Sequence, residues 1–288
     1  YEKCPICEEK LRNGVCPMCG YDFNRLGRSR ILKDGHWDIL TTDKKTSQPK
    51  YIHDEKRHPD FKNIKNTKTQ SMKTQRKIST YKNKKEKKIA NYNFYSGTIE
   101  NKEVVVIKSG IGKVASSVGA GLMIEEYHPD FIINTGIAGG INGLHTADIL
   151  IADSLRYSDV DAVNFGYKLG QVPGMPLDYL TDVKIKEKIQ QILKDNNISF
   201  KNGKIYTADT FVTDLKQINI ELENVCACEM EGTSIAQACY LLDTKFVSIR
   251  FISDIVGTEE QVKDYGTFEK LMANKSANIC FDIVSKIK

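Results

Sequence analysis

Residues 103–140 read EVVVIKSGIGKVASSVGAGLMIEEYHPDFIINTGIAGG, and this stretch decides the fold. Residues 103–107 are a β-branched run, which predicts a buried strand. The turn SGIGK follows at 109–113. Apolar Val114, Val118, Leu122 and Met123 then recur at helical spacing, which predicts a helix over 114–126. Residues 131–134, FIIN, predict a second strand, leading into TGIAGG at 135–140.

The same alternation continues outward. A strand ending at 94–97 precedes the stretch, and another is expected at 148–152. Ile185, Ile189, Ile192 and Leu193 line one face of a helix over 184–194. A helix is expected over 231–242, a strand over 246–251 running into Ser253-Asp254, and a closing helix over 268–287. Strands alternating with helices predict an α/β layered domain with helices on both faces of a sheet. Ligands in such folds sit at the carboxyl ends of strands. SGIGK lacks the spacing of a Walker phosphate loop and of a dinucleotide fingerprint, so it reads as a tight strand-to-helix turn.

The chain has 288 residues, 40% hydrophobic and 27% charged, which is ordinary globular usage. No apolar run reaches membrane-spanning length, and no signal peptide is legible. The net charge of +5 hides two regions of opposite sign. Residues 1–90 hold 23 Lys and Arg against 11 Asp and Glu, whereas 91–288 hold 19 against 26. This excludes a uniformly basic nucleic-acid domain and favours a compact C-terminal domain behind a basic extension. Residues 61–90 carry 11 basic residues and a single acid, with only Phe61 and Tyr81 as aromatics. They read as a solvated linker, whose contact with nucleic acid is possible but poorly supported.

Four of the eight cysteines form two matched pairs, Cys4/Cys7 and Cys16/Cys19, in CPIC and CPMCG. Two such knuckles predict a small zinc ribbon in which folding is driven by the metal. Cys226, Cys228, Cys239 and Cys280 are scattered among apolar residues and read as buried small hydrophobes. No disulfide framework is visible, which suits a reducing, cytoplasmic setting. Three regions are therefore expected: a zinc ribbon at 1–22, a basic linker or degenerate N-terminal part at 23–90, and the α/β domain at 91–288.

Acids mark the candidate site. Glu229-Met230-Glu231 follows the apolar Cys226-Ala227-Cys228, and Asp254 ends the apolar run 246–252. A charge directly after a buried strand lies at the sheet edge and is often functional, although a helix cap or surface acid is as good a reading for either one alone.

Taken together, the segments FYSGTIENKEVVVIKSGIGKV, PDFIINTGIAGGIN, ADILIADSLRYSDVDAVNFGYKLGQVPGMP, TADTFV, CEMEGTSIAQACY and VSIRFISD resemble the 5′-methylthioadenosine/S-adenosylhomocysteine nucleosidases of the nucleoside phosphorylase-like family. The resemblance spans residues 91–288. It implies a three-layer domain with a central mixed sheet, a homodimer through residues 156–176, and a catalyst without a cofactor. It also implies hydrolysis of the N9–C1′ bond of adenine nucleosides with a 5′-thio substituent. Such cleavage builds negative charge on the departing base, so an acid must protonate N7. By resemblance that acid is Asp254, steadied by Ser253 and needing a pKa raised by burial. Glu231 holds the ribose hydroxyls, with Glu229 and Met230 beside it. Phe211 stacks on adenine, the Val212 backbone reads its edge, Arg250 lies near the attacking water, and Tyr265 covers the 5′ group. Ile111, Ala138 and Gly139 line the same site.

The sequence departs from the family in one respect. The family's first strand, followed by a water-activating glutamate, is not recognisable, and counting back from Tyr95-Ser96-Gly97 puts Lys73 near that position. Ile137 also stands where some relatives carry serine. Either another acid such as Glu55 or Asp60 arrives from the N-terminal region, or the domain is a weak or silent nucleoside-binding protein. A nucleoside phosphorylase is the third reading, disfavoured because Arg250 is the one well-placed phosphate ligand.

Overall fold

The computed structural model describes residues 29–31, 37–42, 49–53, 82–259 and 261–287. The chain divides into two compact units, Tyr1–Lys73 and Thr74–Lys288. Within the first, β1 (Ser29–Ile31), β2 (Trp37–Thr42) and β3 (Pro49–His53) form an antiparallel sheet in that order. Cys4, Cys7, Cys16 and Cys19, with Glu55, Asp60 and Lys73, lie outside the described residues, and with them the expected zinc ribbon and substitute acid.

The second unit opens with the antiparallel sheet β4 (Lys82–Ile89), β5 (Tyr92–Ile99) and β6 (Lys102–Ile107). Strand β4 lies inside the stretch read as linker. Its sequence KNKKEKKI is exposed along nearly its whole length, a lysine-rich edge that resists further strand pairing. The β5–β6 turn needs two left-handed residues, and Glu100 and Asn101 supply them at φ 47° and 65°.

The central sheet runs β10-β11-β7-β12-β8-β9, using β7 (Phe131–Asn142), β8 (Ile149–Tyr157), β9 (Tyr179–Leu180), β10 (Lys201–Thr207), β11 (Cys226–Glu229) and β12 (Lys245–Ile255). Strand β12 is parallel to β7 and antiparallel to β8, so the sheet is mixed. β10 also pairs with β8, which curls the sheet back on itself. On one face α1 (Lys113–Tyr127) and α3 (Gly232–Leu241) pack through Ala120, Ile124, Ile235, Ala236 and Cys239. On the other, α2 (Val183–Asp195) and α4 (Gln261–Lys286) contribute Ile185, Ile189, Leu193, Met272, Ile279 and Ile283. Helix–sheet–helix layering is therefore as the sequence predicts. The α2 stripe is the predicted one, and Asp182 caps the helix by accepting from the Ile185 N–H at 2.9 Å.

Several boundaries move. The TGIAGG segment is the second half of β7 rather than a turn after it, and Ser253-Asp254 lie within β12. Helix α4 begins seven residues before the position read from sequence. Strand β10 was not anticipated. Among the described residues no helix is long and apolar enough to cross a membrane. Cys226, Cys228 and Cys239 are buried free thiols, as expected for apolar filler, whereas Cys280 is only partly buried.

Candidate active site

The site grows from one irregularity in the sheet. Along β12 and β7 the partners Ile252↔Ala138 and Asp254↔Gly139 are consecutive, so Ser253 is bulged out of register. A bulge re-aims the side chain that follows it. Asp254, 2% exposed, is thereby turned toward Gly139, where a Cβ would lie 3.2 Å from its Oδ2. A side chain at 139 would crowd the carboxylate, which accounts for the glycine. Ser253 Oγ donates to Asp254 Oδ1 at 2.5 Å, as the sequence reading requires of it.

The loop after β10 carries Phe211 and Val212. Asp214 and Gln217 form a capping box on the turn Leu215–Gln217, and the Gln217 side chain accepts from the Thr213 N–H at 2.8 Å. Val212 is buried, whereas Phe211 stays 43% exposed. Phe211 meets Tyr265 edge-on, with ring centroids 5.3 Å apart. Sequence reasoning named these two separately, and the fold makes them a pair. Burial pushes the Tyr265 phenol up to about 12, with Asp254 and Glu231 among the charges acting on it.

Glu231 stands at the N-cap of α3. The N–H of Gly112, in the SGIGK turn, donates to its Oε1 at 3.0 Å. Burial raises the Glu231 pKa, with the nearby Glu229 charge as the second cause, while Arg250 opposes the rise. Ile111, in the same turn, is 74% exposed. Ala138 is buried on β7 next to Gly139.

Glu229 and Arg250 are bound to each other, and the protein's own donors take up the Glu229 carboxylate. Glu229 Oε2 accepts from Arg250 Nη2 at 2.5 Å, from the Glu231 N–H at 2.9 Å and from the Gly232 N–H at 2.7 Å. Its Oε1 accepts from the Thr207 hydroxyl. Arg250 Nη2 also donates to Asn134 Oδ1 at 2.6 Å. Both side chains are 3% exposed, so this is a fully buried ion pair. The glutamate's oxygens are thus bound to protein donors, and it sets the first turn of α3 on which Glu231 rides. Thr207 and Asn134 belong to this network and were missed; each follows or ends a strand run, but nothing in the sequence pairs them with Glu229 or Arg250.

A layered fold with a glycine-rich β7 and carboxylates on β11 and β12 defines a class. Residues 64–285 match the phosphorylase superfamily model. A 5′-methylthioadenosine/S-adenosylhomocysteine nucleosidase of Halalkalibacterium halodurans is 41% identical over 213 residues, 73% of this chain and 92% of that protein. The S-adenosylhomocysteine nucleosidase of Streptococcus pyogenes, solved with 5-methylthiotubericidin, superposes with a TM-score of 0.69 at 32% identity, covering 73% of this chain and 91% of that one. The nucleosidase of Colwellia psychrerythraea in complex with adenine gives 0.68 at 31% identity, covering 76% and 90%. The chain belongs to the 5′-methylthioadenosine/S-adenosylhomocysteine nucleosidase family.

Proposed function

We propose that the chain hydrolyses the N-glycosidic bond of 5′-methylthioadenosine and S-adenosylhomocysteine, releasing adenine and a 5-thioribose sugar. The observation that carries this reading is Asp254, buried beside Gly139 and held by the Ser253 hydroxyl, in a chain of this family. Asp254 gives its proton to purine N7, so the bond electrons leave with a neutral base. Glu231 accepts hydrogen bonds from the ribose hydroxyls, which strengthen as C1′ becomes cationic. Water adds its hydroxyl to C1′, and its remaining proton restores the acid. No redox step or electron carrier enters this balance. Phe211 and Tyr265 flank the base and the 5′ group, and Met230 packs on the sugar. Arg250 Nε, buried with no partner among the described residues, is the donor we assign to the attacking water. Glu229 is a positioning residue for Glu231.

Purified protein incubated with methylthioadenosine releases adenine on this reading. Release no greater than that of an Asp254→Asn variant would refute it. Binding without release would instead support a silent nucleoside-binding protein, and ribose-1-phosphate formation dependent on phosphate would support a phosphorylase. The wider reading includes one structural zinc at Cys4, Cys7, Cys16 and Cys19, a cytoplasmic setting, and a homodimer through residues 156–176. Phe165, 82% exposed within that region, supports the last. A contact between the basic linker and nucleic acid has little to support it. Zinc stoichiometry and light scattering test the zinc and the dimer.

A further inference from the structure

Gln261, the first residue of α4, is polar, uncharged and 3% exposed. Its carboxamide is fully engaged. Nε2 donates to the Val212 carbonyl at 2.8 Å and to Asp254 Oδ2 at 3.0 Å, and Oε1 accepts from the Gly257 N–H at 3.0 Å. The two acceptors it bridges are the ones the proposed reading gives to the purine edge. A carboxamide NH₂ and the exocyclic NH₂ of a 6-aminopurine offer the same pair of donors from one nitrogen. A 6-oxopurine offers an acceptor there, facing two further acceptors.

We infer that Gln261 is an internal competitor for the base: its carboxamide holds the Val212 carbonyl and Asp254 in their purine-reading arrangement and is displaced when a 6-aminopurine arrives. This rests on the proposed assignment of Val212 and Asp254 to the purine. The carboxamide fills the space within hydrogen-bond reach of both acceptors, so base and side chain exclude one another there. Displacement frees the start of α4, which also carries Tyr265, so base binding and placement of the Tyr265 ring are linked. The measured affinity for base is then the intrinsic one multiplied by the fraction of molecules in which Gln261 has swung away.

The test is calorimetry with adenine, and with hypoxanthine as control, on the full chain carrying Gln261→Ala or Gln261→Leu. Gln261→Ala is expected to bind adenine about tenfold tighter, the shift due when one or two net hydrogen bonds no longer oppose binding. Its association rate constant is expected to rise as well. Gln261→Leu keeps the bulk of the side chain but has no donor to offer either acceptor, so it is expected to move the same way, and it serves if the alanine variant fails to fold. Hypoxanthine is expected to bind none of the three. Unchanged or weaker adenine binding by the variants, with clear binding by the parent chain, overturns the competitor role alone. No adenine binding by the parent or either variant overturns the purine assignment beneath it.

Discussion

The buried ion pair between Glu229 and Arg250 gives the sharpest stability prediction. Glu229→Gln removes the charge that compensates a guanidinium 3% exposed, while its neutral hydrogen bond to Asn134 Oδ1 persists. It also weakens the acceptor shared by the Glu231 and Gly232 N–H groups at 2.9 and 2.7 Å. Breaking a buried pair from one side costs about 3–5 kcal/mol, because an uncompensated charge is left in low dielectric. At about 2–4 °C per kcal/mol for a unit of this size, the melting temperature falls by roughly 6–20 °C. Removing both charges, in Glu229→Gln/Arg250→Met, leaves no orphan, so the double variant is less destabilised than the sum of the singles by about 1.5 kcal/mol or more. The pair is shielded from solvent, so the loss changes little between low and high salt. Calorimetric melts and urea titrations of the four proteins complete the cycle. A single-variant loss below about 1 kcal/mol, or a coupling of zero, would refute the reasoning.

Three further outcomes follow from the site. Glu231→Gln stabilises the fold by about 1 kcal/mol while weakening nucleoside binding, because a buried carboxylate is replaced by a neutral isostere; paired melts and a KM measurement check both halves. The folded pKa of Glu231 is raised, so its protonated form favours the fold. That contribution is complete below the unfolded value and fades as pH climbs through the raised one, so the advantage of Glu231→Gln grows over that window and levels off above it; melts of the two proteins across pH test the sign. Gly232→Ala costs about 1–3 kcal/mol, since its Cβ would lie 2.8 Å from Leu155 Cδ2 and 3.1 Å from Glu229 Oε1; a neutral effect on the melt would contradict this packing.

The legible parts of the fold were those with strong local patterns. The α2 stripe and the β-branched run before SGIGK announce themselves because periodicity and burial agree there. Strand β10, KNGKIYT, was missed because its buried half is only four residues long and its start is polar. Strand β4 was missed for the opposite reason: an edge strand made of lysines carries no hydrophobic signal. Asp254 and Glu231 stood out as acids after apolar runs, but the bulge that aims Asp254 is a matter of register between β12 and β7, which one strand's sequence does not contain. Glu229 read as a ligand because it neighbours Glu231, whereas parity on a short strand and the turn into α3 send its carboxylate to Arg250. Gln261 carried no sequence signal; only the fold brings it to the Val212 carbonyl.

The central claim is that Asp254 drives cleavage by protonating N7 of the purine. The 7-deaza analogue of methylthioadenosine replaces that nitrogen with a carbon that accepts no proton, while leaving the sugar and the exocyclic amine unchanged. The account predicts that the chain binds the analogue yet releases its base at least about 10²-fold more slowly than it releases adenine. It also predicts that Asp254→Asn erases most of that difference. Release from the analogue at the rate seen with methylthioadenosine would contradict it.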